Sequence, residues 1–104
     1  TKSVDVPSTG EISITDAAVN KVDGTTDITL SFVDDSGAAV APADLPTDRA
    51  QSFIIFVTGS GGNVQWPTGV AWSGGDVPTL GTTWTSVIIF WTGNTLIGIT
   101  SGKQ

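Results

Sequence analysis

Two stretches of this chain are apolar without a break: Phe53-Ile54-Ile55-Phe56-Val57 and Val87-Ile88-Ile89-Phe90-Trp91. Both have the length of one strand and are built from β-branched and aromatic residues, so they predict strands over Ser52–Thr58 and Ser86–Thr92. A strand with one wet face alternates apolar and polar side chains. These do not, which implies that both of their faces are covered. A chain of 104 residues is too small for three layers, so the second cover is most simply another subunit.

The remaining strands carry the ordinary alternation. Glu11-Ile12-Ser13-Ile14-Thr15 alternates strictly, and Asp27 to Phe32 places Ile28, Leu30 and Phe32 on one face with Thr29 and Ser31 on the other. Lys21 to Thr26, centred on Asp23-Gly24, predicts the turn between those two strands. Gly93-Asn94 is a two-residue hairpin signal leading into a strand over Thr95–Thr100. The segment Asp34–Arg49 is too long and irregular for a hairpin and predicts a crossover between sheets or a contact loop. With 13 Gly, 5 Pro and a single Glu, the chain lacks the helix formers that a bundle needs. The expected class is all-β: an antiparallel, jelly-roll-like β-sandwich, one domain over residues 11–104, preceded by an extended arm over residues 1–10.

Charge narrows the partners. The formal net charge is −6, and Lys2, Lys21, Arg49 and Lys103 are scattered, so no basic stripe for phosphate binding can form from sequence neighbours. The same balance disfavours anionic membrane surfaces, and no segment approaches the roughly 18 apolar residues of a membrane span. Cysteine is absent, so no disulfide framework is expected. Thr1 is the kind of small residue that follows a removed initiator Met, which fits a complete small protein.

Catalysis and cofactors are not expected. Without His or Cys there is no Ser-His or Cys-His nucleophile and no ordinary transition-metal site, and Tyr is absent as well. Three carboxylate pairings are conceivable, Asp34-Asp35, Asp44 with Asp48, and Glu11 with Asp16, but glycoside cleavage needs two carboxyls on opposite sides of a substrate. Neighbours in one loop do not provide that, and solvated loop charge explains them. Asp23–Asp27 and Asp34–Gly37 offer oxygen ligands beside a glycine, yet neither has the spacing of a helix-loop-helix calcium site. Gly59-Ser60-Gly61-Gly62 lacks the Lys-Ser/Thr of a phosphate loop and predicts a flexible turn.

The most specific phrase runs from Trp66-Pro67 through Val70, Trp72 and Gly74-Gly75 to Pro78-Thr79-Leu80. Indoles in so small a domain serve first as bulk for the core and interfaces, Trp66 being anchored after the strand-like Val64-Gln65. A sugar-stacking platform is the sharper alternative, with Trp72, Asp76 and Trp84 as candidate glycan contacts. Together with the preceding strand and glycine turn, the following aliphatic strand and the hairpin at Gly93, this phrase resembles a domain near the C-terminal ends of tailed-bacteriophage virion proteins. The likeness runs from about Ile28 to Gly98. It departs from the pattern at Ser73, where Pro is frequent, in the shorter hairpin at Gly93-Asn94, and at Leu96-Ile97, which replace an aromatic pair.

The resemblance implies a non-enzymatic virion β-sandwich, typically trimeric, located on the head or tail surface. A chain of this size suits a capsid decoration or cement protein that contacts the major capsid protein. The alternative is a tail-fibre or tail-tip domain that binds a host surface glycan. A cell-wall-degrading module, the third reading, is disfavoured by the missing His and the scarce Glu. The two apolar runs lead to an expected subunit interface containing Phe53, Ile55, Val57, Trp84, Val87, Ile89 and Trp91.

Overall fold

A computed structural model of the chain describes residues 3–15, 19–45, 47–48 and 50–104. Among these, ten strands and two single 3-10 turns, Pro42–Asp44 and Ser73–Gly75, make an all-β fold. The strands are β1 (Ser3–Asp5), β2 (Glu11–Ser13), β3 (Val19–Asp23), β4 (Ile28–Thr29), β5 (Ser31–Val33), β6 (Gln51–Thr58), β7 (Val64–Gln65), β8 (Val70–Trp72), β9 (Trp84–Trp91) and β10 (Leu96–Lys103). Six form one sheet in the order β1-β3-β6-β9-β10-β8. The others form two small ladders, β2 with β5 and β4 with β7. Because β4 and β5 are separated only by Leu30, whose amide bonds to Gln65 O, the two ladders share one extended segment over residues 28–33.

Strand alternation then builds a single core. Ile28, Leu30 and Phe32, all facing one way, meet Phe53, Ile55 and Val57 of β6 and Val87, Ile89 and Trp91 of β9. Ile12, Val22, Leu45 and Leu96 complete the cluster, and the Phe32 and Phe53 rings lie 4.8 Å apart. Each such side chain contributes roughly 1.5–3 kcal/mol on burial, so this one layer of contacts carries the fold. Among the described residues, the buried polar side chains Asn20 and Thr85 are bonded: Asn20 donates to Ile54 O and Thr85 Oγ1 accepts from the Gly81 amide. The part-buried Gln51 donates to Ile14 O and leaves its Oε1 without a partner among the described residues.

The all-β class and the central strands agree with the sequence reading, but the pairing differs. Among the described strand pairs, β6–β9 and β9–β10 are the antiparallel ones, together with an isolated antiparallel bridge between Val33 and Ala39. The pairs β1–β3, β3–β6, β10–β8, β2–β5 and β4–β7 are parallel, so the sheet is mixed and the expectation of antiparallel pairing throughout is corrected. The cause is β3. Its sequence Val19-Asn20-Lys21-Val22-Asp23 hides a strand behind a buried Asn, and the turn expected over Lys21–Thr26 begins only after Asp23. The chain leaves β2, crosses to the large sheet as β3 and returns to pair β5 with β2 in parallel. The segment between β5 and β6, expected as a crossover or a contact loop, joins a strand of a small ladder to a strand of the large sheet. Residues 3–10 are built into the domain: β1 extends the edge of the sheet on β3, and Gly10 O accepts from the Ser31 amide.

Candidate functional site

The interface expectation requires a correction. Phe53, Ile55, Val57, Val87 and Ile89 are at most 2% exposed, and Trp91 4%, all inside the core of one chain. They cannot meet a second copy. The other half of each run can. Register places Ile54 opposite Ile88, and Ile88 opposite Ile99; it also places Phe90 between Ser52 and Ile97. Phe56 lies beside Ser86, and its ring stacks on Trp84 at 5.8 Å with 16° between the planes. Trp84 is thus the one residue of the expected interface that lies on this outer face. An unbroken apolar run has no alternation to say which residues point inward, so sequence alone supplied the pattern without its phase.

This outer face is half-buried at its centre and open towards β10, where Phe90 and Ile99 are each 38% exposed. A shallow depression of about 500 Å³ there is lined by Ser52, Phe90, Ile97 and Ile99, among others. No charged residue occupies Ser52, Ile54, Phe56, Ser86, Ile88, Phe90, Ile97 or Ile99. The nearest charges flank it on β3, where Lys21 lies opposite Phe56 and Asp23 opposite Thr58; Lys21 Nζ is 3.9 Å from Asp5 Oδ1.

A second feature occupies the far edge of the sheet. Trp72 is half-buried, with its indole over Gly98 and its partner Trp66 edge-on at 5.7 Å. A Cβ on Gly98 would fall 2.3 Å from the indole carbons, so only glycine seats Trp72 here. Gly74 and Gly75, both at positive φ, then turn the chain back beside β10. The result is a cavity of about 320 Å³ whose lining includes Trp72, Asp76, Val77, Thr79, Ile99 and Lys103. Lys103 Nζ donates to Thr79 Oγ1 at 2.7 Å. Of the expected glycan contacts, Trp72 and Asp76 come together and Trp84 stands apart on Phe56.

The acidic loops serve their own turns. Asp23 Oδ1 accepts from the Thr25 hydroxyl at 2.6 Å and the Thr25 amide at 3.0 Å. Asp34 Oδ1 accepts from the Ser36 hydroxyl, the Ser36 amide and the Ala38 amide at 2.7–3.0 Å. These bonds favour the ionised form, and both carboxyls are held below the usual carboxylate range, chiefly by the Thr25 and Ser36 hydroxyls. Asp27 Oδ1 accepts from the Asn63 amide, tying β4 to the loop before β7. Asp16, paired in expectation with Glu11, lies outside the described residues, as do Lys2 and Arg49. Among the described residues no three carboxylates converge on a cation position.

No protein-family model matches the chain, and neither a curated protein nor a solved structure matches it.

Proposed function

We propose that this chain is a non-enzymatic structural subunit of a bacteriophage virion, a capsid decoration or cement protein that assembles as a homotrimer on the virion surface. The observation that carries the assembly is the uncovered apolar face of the large sheet, from Ile54 and Phe56 through Ile88 to Phe90 and Ile97. Such a face, free of charge and continuous across three strands, has the character of an interface core. With a chain charge of −6, it is also where two copies approach with least repulsion. Three-fold closure and the virion location rest on the resemblance of the Trp-Pro phrase. A structural role also fits a chain without His, Cys or Tyr, in which Asp23 and Asp34 are engaged in their own turns.

Two experiments test this reading. Light scattering at micromolar concentration is expected to give three times the mass of one chain, and Ile88→Lys to give a folded monomer. A folded, soluble wild-type monomer would overturn the assembly. Cryo-electron microscopy of the virion is expected to place the chain on the head, in contact with the major capsid protein; its absence from the particle would end the virion reading.

A further inference from the structure

We propose that the cavity beside Trp72 binds a neutral saccharide, one pyranose ring at a time. Three observations converge on it. The first is its mixed lining. Val77, at 55% the most exposed large hydrophobic residue among the described residues, lines this cavity beside the half-buried Trp72 indole. A pyranose presents a face of C–H groups to such a surface and a rim of hydroxyls to its border.

The second is the placement of its polar groups. Asp76 and Lys103 contribute one charge of each sign, which leaves no surplus for an ionic ligand while offering a strong acceptor and a strong donor. Lys103 is positioned by Thr79, whereas Asp76 has no hydrogen-bond or ion-pair partner among the described residues. The third is the strand edge. β8 covers β10 only from Leu96 to Gly98, so the edge from Ile99 to Lys103 carries no strand on that side, and no described backbone group of residues 76–79 bonds to it. Edge protection accounts for Lys103 and for the irregularity between Thr100 and Gly102. It does not account for gathering Trp72, Asp76 and Val77 over the same edge. A cavity of about 320 Å³ sits at the small end of ligand sites, the scale of one ring.

The test is amide and indole NMR of the full-length chain titrated with methyl α-glucoside, methyl β-galactoside and N-acetylglucosamine. At least one is expected to bind with a millimolar dissociation constant, as small polar ligands do in open sites. Its shifts should be confined to the Trp72 indole N–H and the amides of residues 73–79 and 98–103. Asp76→Ala, a surface change that leaves the remaining spectrum in place, is expected to weaken binding about tenfold through loss of a charged acceptor. Silence from all three sugars, shifts confined elsewhere, or undiminished affinity in Asp76→Ala would overturn the proposal. So would pairing of an acetylated Thr-Val-Thr-Val-Thr peptide with the 99–103 edge when no sugar binds, which would assign the edge to extended peptides. The inference stands apart from the virion reading, whose mass measurement uses neither the cavity nor a ligand.

Discussion

Trp66 and Trp72 hold each other edge to face, and both pack against the core without being fully enclosed. Removing Trp66 takes away the wall on which Trp72 leans. Trp66→Ala is therefore expected to cost about 3 kcal/mol in urea unfolding, the lower end for a large aromatic because the indole is only half-buried. A loss below about 1 kcal/mol, inside the range of ordinary surface changes, would show that it is not anchored. Gly98 is the complementary case: Gly98→Ala drives a methyl into the Trp72 ring and is expected to cost about 1–3 kcal/mol, with an altered tryptophan emission. Asp34 sets a pH dependence. Its carboxyl is lowered in the folded state by the Ser36 hydroxyl and nearby amides, so its contribution is fully present above the usual carboxylate range and is lost as pH falls through the lowered value. Thermal unfolding from pH 6 to pH 2 should accordingly show a smaller acid loss in Asp34→Ala than in wild type. Equal slopes would remove this residue from the acid response.

At the scale of the element, neighbouring residues of β9 should behave oppositely. Ile89 is completely buried against Phe53, whereas Ile88 lies on the outer face between Ile54 and Ile99. Ile89→Lys places a charge in the core and is expected to abolish folding, since an unpaired buried ammonium costs several kcal/mol. Ile88→Lys is expected to leave the far-ultraviolet circular dichroism spectrum unchanged. If Ile88→Lys also unfolds the chain, the outer face is not free in the subunit. Much of this strand was legible: its length, its apolar character and its turn at Gly93-Asn94 all follow from residues. β3 was not, because Asn20 sits where an apolar residue would mark the inner face, and its burial depends on the Ile54 carbonyl of a distant strand. β8 was equally hidden, three residues of a phrase that looks like turn until β10 pairs with them in parallel.

At the scale of the molecule, most neighbouring strands are distant in sequence and parallel, so loops must close before pairing stabilises them. Refolding is expected on the millisecond-to-second scale of non-local β folds, measured by stopped-flow tryptophan fluorescence. A microsecond phase with full amplitude would contradict this topology as the kinetic determinant. The candidate surfaces also belong to this scale. Trp72 and Asp76 come within one cavity because Gly74 and Gly75 turn the chain beside the open edge of β10.

From its residues alone, the chain was bound to be β: β-branched strands, glycine turns and scarce helix formers leave little else, and Ile28, Leu30 and Phe32 name their own inward face by alternation. Only the tertiary structure decided the phase of β6 and β9. Every side chain in those runs is suited to burial, so nothing local separates Ile55 from Ile54. Their phase comes from the layer that carries Leu30 and Phe32, which can cover one side of the sheet and leaves Ile54, Ile88 and Phe90 on the other.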